Sequence, residues 1–418
     1  MKKEAYKIHI IGAGVSGLIA AQVLENNGYS PIIIEATDRV GGRVKTDRFE
    51  NYQLDHGFQV LLTAYPAAQK YLNFEALNLQ HFISGAAIYK NGSQKIMGDP
   101  LRNISLLFPT LFSGIGNISD KFKILKLNTK LKKTTLEAIF TKPEKTTLQY
   151  LKDLGFSDDI ILSFFKPFFA GIFLEPALET SSRMFEFVYK MFGEGFAALP
   201  KAGIEAIPKQ LKANLKQTTF QFNTNVKSVA ENQIILDDGT ALESHSTIIA
   251  TDPSRLIPNL IKKETEWKSC ETLYFEAPSR AIQKPFIGLI SNEDALINNI
   301  FYHTSLETES SGNQELLSVT VVKNHGLDTE TLKNQVESEL QKYCGANSYK
   351  FLKQYSISKA LPKLNNLKYQ LKPSETQASR HIFLAGDLQL NSSLNAAMLS
   401  GESAALGVIE ALSNADLK

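Results

Sequence analysis

The sequence is poor in cysteine and has no long apolar run. Its two cysteines, Cys270 and Cys344, lie among 418 residues. Two cysteines cannot form a disulfide framework or a cysteine-rich zinc site, so we expect a reducing compartment and no metal site. No stretch of the sequence approaches the about 18 uninterrupted apolar residues of a membrane-spanning helix. We therefore expect no transmembrane segment.

An excess of charge of one sign is also lacking. Lysine and arginine number 45 against 43 aspartates and glutamates, and the formal net charge is +2. This balance excludes the chain-wide basic surface that is typical of nucleic-acid-binding proteins. The apolar share of 43% and the charged share of 21% are those of an ordinary globular chain. At about 150 residues per domain, the length predicts two or three domains.

A glycine-rich turn lies between two predicted strands near the N-terminus. Residues 6–11 and 31–35 are short apolar runs, typical of buried strands, and residues 15–26 have helical character. The turn between the first strand and the helix has the pattern G-x-G-x-x-G, from Gly12 to Gly17. Strand, turn, helix and second strand together predict a dinucleotide-binding unit.

Each residue type in this unit has a physical reason. Gly12 permits a tight turn, Gly14 leaves room for a pyrophosphate, and Gly17 lets the helix pack against the strand. Val15 and Ser16 begin the helix, whose free N–H groups and positive dipole end favour phosphate. We therefore expect this turn to hold the phosphates of a dinucleotide.

The second strand ends in Glu35, which can accept hydrogen bonds from both hydroxyls of an adenosine ribose. The residues of interest after it are Ala36, Arg39, Gly41, Gly42 and Arg43. This stretch resembles the extended fingerprint of the flavoprotein superfamily of amine oxidases, protoporphyrinogen oxidases and phytoene desaturases. The resemblance implies that the glycine N–H groups and the charged fork of Arg43 approach the pyrophosphate of FAD.

A second resemblance to this superfamily lies near the C-terminus. A predicted strand over residues 381–385 is followed by Gly386 and Asp387, and then by a helix that begins with small residues. The resemblance implies that Asp387 meets the ribityl-phosphate region. It also implies that the helix start contacts the flavin edge on which negative charge develops when a hydride arrives, with free N–H groups near Ala397 and Met398. The residues implied at this helix start are Asn395, Ala396, Ala397 and Met398.

Two further resemblances concern shorter segments, and the first rests on position. Gly57 and Phe58 lie where the superfamily places a loop near the flavin ring, although the preceding His56 departs from the commoner pattern. His56 is either an acid/base or substrate-contacting group or a loop histidine bonded to the backbone. The second resemblance rests on the pattern of residues 225–229, and it implies that the backbone of Val226 pairs with the adenine. Lys284 and Lys359 are the other polar candidates for catalysis, and the sequence identifies no base.

The resemblance covers essentially the whole chain and implies an α/β fold. We expect a Rossmann-like FAD-binding domain of the glutathione-reductase type with an interleaved α+β substrate domain. The FAD-binding domain is predicted to comprise residues 1–64, 195–265 and 376–418. The substrate domain is predicted to comprise residues 65–194, which are mainly helical, and residues 266–375, which are β-rich.

The implied activity is that of an FAD-dependent oxidoreductase, an oxidase or desaturase that accepts a hydride at flavin N5 from an apolar small molecule. A flavin amine oxidase and a non-redox polyene isomerase are the alternatives. The amine branch usually has an aromatic residue just before the C-terminal helix, and residues 388–391 contain none. No cysteine lies near the C-terminal motif, so we expect non-covalent FAD. The electron acceptor is not indicated.

Two segments leave alternatives open. The phenylalanines between residues 164 and 173 are either core residues or part of a substrate pocket. Leu101 to Lys133 combines apolar clusters with six lysines and no acid after residue 120. That segment is either a solvated helix face over the core or a contact with an anionic membrane. We expect a cytoplasmic protein, with peripheral contact to the inner face of the membrane under the second alternative.

Overall fold

The computed structural model describes residues 2–99, 103–257, 265–345 and 348–415. Leu101, the first residue of the predicted membrane-contact segment, lies outside these ranges. No helix in the described ranges is long and apolar enough to span a bilayer.

The helices of the described ranges are named in chain order. They are α1 (Val15–Asn26), α2 (Pro66–Tyr71), α3 (Leu107–Leu111), α4 (Ile118–Lys132), α5 (Leu136–Phe140), α6 (Thr147–Asp153), α7 (Asp158–Ile160), α8 (Lys166–Phe173), α9 (Ser182–Glu194), α10 (Ala206–Asn214), α11 (Thr329–Cys344) and α12 (Leu394–Ala415). A π-helical segment, Ile161–Phe165, joins α7 to α8.

The strands follow the same order. They are β1 (Ile8–Ile11), β2 (Ile32–Ile34), β3 (Thr46–Phe49), β4 (Tyr52–Asp55), β5 (Leu61–Leu62), β6 (Leu79–His81), β7 (Gly85–Lys90), β8 (Ser93–Gly98), β9 (Ala197–Pro200), β10 (Thr219–Gln221), β11 (Val226–Ala230), β12 (Gln233–Leu236), β13 (Ala241–Glu243), β14 (Ser246–Ile249), β15 (Trp267–Ala277), β16 (Ile287–Ile290), β17 (Ile297–Tyr302), β18 (Glu315–Val321), β19 (Lys350–Pro362), β20 (Gln377–Ser379) and β21 (Ile382–Leu384).

A six-stranded sheet carries the N-terminal unit. Its order is β10-β2-β1-β14-β21-β20, and every pair is parallel except β20 with β21. Parallel strands need a crossover connection, and α1 supplies it between β1 and β2. The sheet draws strands from the beginning, the middle and the end of the chain. The two ends also meet where α1 packs against α12.

The middle part of this sheet corrects one detail of the sequence interpretation. The alternating segments between residues 219 and 250 predict one continuous meander. Only β11, β12 and β13 form an antiparallel meander, whereas the flanking β10 and β14 are parallel strands of the large sheet. Sequence alternation fails to distinguish the two because β10 and β14 have three and four residues, too few to show a period.

A seven-stranded sheet forms the second layer, in the order β19-β15-β18-β17-β16-β7-β8. The hairpin β7–β8 turns at Asn91 and Gly92, which both have positive φ, as the Asn-Gly dipeptide predicts. Helix α11 packs against β7 and β8. Helices α3 to α9 form a separate, mainly helical part of the molecule, and a large cavity lies between it, the seven-stranded sheet and the N-terminal glycine turns.

Candidate active site

The cavity has a volume of about 1570 Å³. Pockets for one small ligand are typically about 300–1,000 Å³. This cavity is therefore large enough for a cofactor together with a second molecule. It reaches from the glycine turns of the six-stranded sheet to helices α3, α4, α8 and α9.

Two glycine segments form one end of the cavity. The N–H of Gly41 donates to the carbonyl of Ala13 at 2.9 Å, and Gly41 forms a β-bridge with Gly14. A Cβ at Gly14 would meet no atom within 4 Å, so this position faces open space. A Cβ at Gly17 would lie 2.0 Å from the carbonyl oxygen of Gly12, so Gly17 is required for packing. The two glycines thus have the different purposes that the sequence predicts.

We name the paired segments around Gly14 and Gly41 the glycine cradle. Glu35 lies beside it and lines the cavity. Its carboxylate accepts the N–H of Ala13 at 2.7 Å and the N–H and hydroxyl of Thr37 at 2.9 and 2.8 Å. A carboxylate has about four acceptor positions. The three donors hold its orientation and leave one position for a ligand hydroxyl. Val15 and Ser16, at the start of α1, line the cavity next to it.

Arg43 connects the N-terminal and C-terminal motifs in the cavity wall. Its guanidinium donates to the carboxylate of Asp387 and, at 2.9 Å, to the carbonyl oxygen of Ala360. The Cζ atom of this guanidinium also lies 5.5 Å from the ring centroid of Trp267. Gly42 and Gly386, the sequence neighbours of Arg43 and Asp387, also line the cavity. An arginine with its fork in this position can bind a phosphate as well as a carboxylate.

The start of α12 corrects the sequence interpretation. The N–H of Ala397 donates to the carbonyl of Ser393 at 3.0 Å, and the Ser393 hydroxyl accepts the N–H of Ala396 at 3.0 Å. The N–H groups that the first turn of α12 leaves free are therefore earlier than Ala397 and Met398. Because the helix has 3.6 residues per turn, Leu394 and Ala397 face the cavity together.

The neighbouring residues of this helix face the protein core. Asn395, Ala396 and Met398 are fully buried and do not line the cavity. The side-chain oxygen of Asn395 instead accepts the N–H of Ala67 at 3.0 Å, which fixes α12 against α2. These residues support the cavity wall, and their expected contact with the cofactor stays a prediction.

Other predicted cofactor residues also lie outside the cavity lining. Ala36 is exposed, and Val226 is half-buried on β11. Arg39 forms ion pairs with Asp47 at 2.7 Å and Glu205 at 2.8 Å. The hydrogen bond with Asp47 raises the pKa of Arg39. Arg39 does not line the cavity. It stabilises the loop that carries Gly41 and Gly42 through these ion pairs.

His56 lies in the cavity wall together with Gly57 and Phe58. Its Nε2 lies 3.1 Å from a carboxylate oxygen of Asp47, and its ring centroid is 4.5 Å from that of Tyr355. Burial raises the pKa of Asp47, but hydrogen bonds from Lys353, Arg39, Tyr355 and His56 outweigh it and keep the pKa well below its usual range. The partner of the His56 side chain is thus a carboxylate rather than the backbone.

The three lysines of interest have different positions. Lys284 is exposed and does not line the cavity, whereas Lys359 lines it and lies 5.6 Å from the ring centroid of Trp267. The structure adds Lys268, whose Nζ donates to the Phe173 carbonyl and the Thr180 hydroxyl, both at 2.9 Å. Burial lowers the pKa of Lys268. No sequence signal marks Lys268, because the first half of its strand also contains Ser269, Glu271 and Thr272.

The phenylalanine cluster is both core and cavity wall. Phe164 and Phe168 stack with ring centroids 5.5 Å apart and line the cavity, whereas Phe165 is fully buried and does not. The π-helical segment shifts the register of the side chains before α8 by one residue, because its hydrogen bonds span five residues. This shift helps to set neighbouring rings on opposite sides of the wall.

The cavity lining contains one cysteine among the described residues, Cys270. Burial raises the pKa of Cys270, which lines the cavity, to about 12, so its thiol stays protonated at neutral pH and is a poor nucleophile. In the described ranges, no group of three or more histidine, cysteine, aspartate or glutamate side chains is placed to hold a metal ion. The donor set at the glycine end instead fits a dinucleotide: a cradle without Cβ atoms, a ribose acceptor and an arginine fork.

Comparisons with known proteins agree with this site. The profile of the family described as flavin containing amine oxidoreductase matches residues 15–409. An L-amino-acid oxidase from Sistrurus catenatus edwardsii is 40% identical over 76 residues, which are 18% of this chain and 15% of that oxidase. The matched segment is thus a small part of that relative.

Two solved structures are similar over the whole chain. A protein from Exiguobacterium sp. 255-15, provisionally described as a protoporphyrinogen oxidase, has a TM-score of 0.71 at 16% identity and covers 98% of this chain and 99% of its own. A double mutant of putrescine oxidase also has a TM-score of 0.71, at 17% identity, with 97% and 99% covered. At these identities the likeness concerns the fold, a Rossmann-like FAD-binding domain with a substrate domain.

The family match extends over nearly the whole chain, begins at Val15 inside the glycine turn, and includes Arg43 and the Gly386-Asp387 motif. FAD is the cofactor of this family, and the residues at the glycine end of the cavity fit it. This chain therefore belongs to the family of flavin-containing amine oxidoreductases, a family of FAD-dependent enzymes.

Proposed function

We propose that this protein is an FAD-dependent oxidase or desaturase that removes a hydride from an apolar small molecule. The observation that carries the proposal is the part of the cavity lined by α3, α4, α8 and α9, which we name the apolar chamber. Its lining residues are Leu107, Thr110, Leu111, Lys121, Ile124, Leu125, Asn128, Phe168, Phe169, Gly171, Ile172, Phe173, Met184, Val188, Tyr189, Phe192 and Gly193.

The apolar chamber contains no acidic side chain and one basic side chain, Lys121, among the described residues of these four helices. The Nζ of Lys121 donates to the carbonyl of Leu111 at 2.7 Å. A protonated amine among these four helices would lack a counter-charge, and burial of an unpaired charge is costly. The acidic residues of the cavity, among them Asp99, Glu144, Glu175 and Glu179, line it outside these helices. A hydrocarbon or large aromatic substrate has no such cost. The chamber therefore favours an apolar substrate.

The chain's own residues bind the cofactor and restrict the reaction. FAD, when bound, supplies the hydride acceptor. Glu35 would hold the ribose, and Arg43 with the free N–H groups of α1 would hold the pyrophosphate. Burial, followed by the hydrogen bond to Asp47, raises the pKa of Tyr355 far above 10, so its hydroxyl stays protonated. The apolar wall excludes water from the reacting carbon.

Amine oxidation is the second candidate. The family name and the similar putrescine oxidase structure favour it, and the aromatic side chains of Trp267 and Tyr355 line the cavity. Against it, Leu388 and Asn391 line the cavity in the stretch where the amine branch is expected to have an aromatic residue. Isomerisation of a polyene with reduced flavin remains a third alternative.

An anaerobic substrate screen distinguishes these candidates. Purified holoenzyme is mixed with a porphyrinogen, a polyene in detergent micelles, primary amines and L-amino acids, and loss of the visible flavin absorbance is followed. Reduction by the porphyrinogen or the polyene at a rate above that of every amine supports the proposal. Faster reduction by an amine or amino acid would overturn it. Isomerised polyene without net flavin reduction would identify the isomerase.

A further inference from the structure

The surface formed by α3, α4 and the residues next to them carries a cluster of exposed apolar side chains. We name it the apolar patch, and it consists of Ile104, Leu111, Phe112, Ile118, Phe122 and Leu125, which are 42% to 79% exposed. Among the described residues, the other exposed large apolar side chains are Leu162, Phe196 and Leu327. Contiguous exposed apolar side chains on a protein surface mark sites that bind a membrane, a protein or a ligand.

Helix α4 has two apolar faces. Leu127 and Leu131 are buried in the core, as a surface helix requires. Ile118, Phe122 and Leu125 are spaced by four and three residues, so they share one face, and that face is exposed. A helix that only covered the core would have polar residues there. The second face therefore needs an apolar partner.

The chain segment that carries the apolar patch has surface charge of one sign. Asp158 and Asp159, from another segment, lie near the start of α4, and Asp159 is paired with Lys90. The segment 103–133 contains one acid, Asp120, which is fully buried and caps α4 by accepting the N–H of Asn117 at 2.9 Å. Lys126, Lys132 and Lys133 are exposed, and none has an ion-pair partner within the described ranges. Exposed lysines beside exposed apolar side chains are complementary to an anionic lipid surface.

The apolar patch and the apolar chamber meet. Leu111 and Leu125 line the cavity, yet they are 46% and 42% exposed. These two side chains therefore mark an opening of the chamber. A surface that surrounds this opening would control what enters the chamber.

We propose that the apolar patch docks on an anionic lipid bilayer, with the opening of the apolar chamber toward the lipid. The phenylalanine and isoleucine side chains enter the boundary between headgroups and acyl chains, and the lysines extend to the phosphates. An apolar substrate then passes from the bilayer into the chamber, a step that rests on the proposed function. A second copy of the chain is a poorer occupant, because a two-fold contact would place lysines against lysines.

Sedimentation with vesicles tests the docking without any substrate. Holoenzyme is mixed with vesicles of phosphatidylcholine alone or with added phosphatidylglycerol, at low and high salt. We expect binding that requires phosphatidylglycerol and weakens with salt. The double variant Ile118→Ser with Phe122→Ser should lower the affinity at least about tenfold, because it removes buried apolar area. The matched control, Leu327→Ser, changes an exposed leucine outside the patch and should bind as wild type.

A charge series completes the test. Lys126→Glu with Lys133→Glu should lower the affinity for anionic vesicles at least about tenfold, whereas Lys2→Glu with Lys284→Glu, of equal net charge, should not. Absence of lipid-dependent sedimentation, or equal loss in both charge variants, would overturn the proposal. So would dimerisation in ultracentrifugation that disappears in Ile118→Ser with Phe122→Ser, since the patch would then be a protein interface. Flavin reduction by a micelle-borne substrate reports the chemistry separately, so failure of docking and failure of the proposed function are distinguishable.

Discussion

Arg43 and Asp387 form an ion pair in the cavity wall although 344 positions separate them in the sequence. Arg43 follows the N-terminal glycine turns, and Asp387 follows the last strand of the six-stranded sheet. The pair brings the two motifs that resemble flavoprotein fingerprints into one site. It also holds the arginine fork beside the glycine cradle, where a pyrophosphate is expected.

Replacement of this arginine should weaken cofactor binding. Arg43→Ala removes the charged fork, so we expect the dissociation constant of FAD to rise about 10- to 100-fold, as for loss of hydrogen bonds to a charged group. Arg43→Lys keeps the charge but loses the planar fork, so its dissociation constant for FAD should lie between those of wild type and Arg43→Ala. Arg48→Ala is the control, since Arg48 pairs with Glu309 on the surface. Titration of apoprotein with FAD by flavin fluorescence measures the constants, and equal affinities for all variants would contradict this role.

Alanine substitutions at two glycines of the N-terminal turn should affect different properties, FAD affinity at Gly14 and apoprotein stability at Gly17. Gly14 has φ −70° and a free Cβ direction, so Gly14→Ala should leave apoprotein stability within about 0.5 kcal/mol of wild type. It should weaken FAD binding at least about tenfold, because the methyl group occupies the phosphate position. Gly17→Ala places a methyl group against the Gly12 carbonyl and should destabilise the apoprotein by more than about 2 kcal/mol. Chemical unfolding and FAD titration of both variants check this; similar profiles for the two variants would contradict it.

The sequence was sufficient for features that depend on local spacing. The glycine turn, the strands around it and the Asn91-Gly92 hairpin follow from adjacent residues, and the structure contains them as predicted. The place of Lys268 was not predictable, because its partners Phe173 and Thr180 come from a distant segment. The contact of His56 with Asp47 depends on the pairing of β3 with β4, which the sequence interpretation did not include. The free N–H groups of α12 were expected near Ala397 and Met398. They lie earlier because the Ser393 cap fixes the first turn of the helix, which local spacing did not reveal.

Neighbouring phenylalanines should have separable effects. Phe168 lines the apolar chamber and Phe165 is fully buried behind it. Phe168→Ala should raise the KM for the substrate found in the anaerobic screen about tenfold, because apolar contact with the substrate is lost. Phe165→Ala should lower the unfolding free energy by about 3–5 kcal/mol, because it leaves a core cavity. Steady-state kinetics and urea unfolding check both, and an unchanged KM in Phe168→Ala would argue against a substrate in the chamber.

His303 should make stability depend on pH. Its ring is fully enclosed between aromatic neighbours, with Nε2 3.0 Å from the Ser318 hydroxyl, and burial lowers its pKa from 6.5 to about 4. As the pH falls below 6.5, the unfolded chain takes up a proton before the folded chain does, so stability is lost until the pH reaches the folded pKa. From about pH 7 to about pH 5 the loss from this residue is about 2 kcal/mol.

The variant His303→Gln isolates this contribution. Glutamine can keep a hydrogen bond to Ser318 but does not titrate, so its loss of stability between the two pH values should be about 2 kcal/mol smaller than that of wild type. His9, whose pKa burial also lowers to about 4, and Asp55, whose pKa burial raises to about 6, remain in both proteins and cancel in the comparison. Urea unfolding at both pH values measures the difference. Parallel losses in the two proteins would mean that the His303 ring takes up its proton equally well in the folded and unfolded chains.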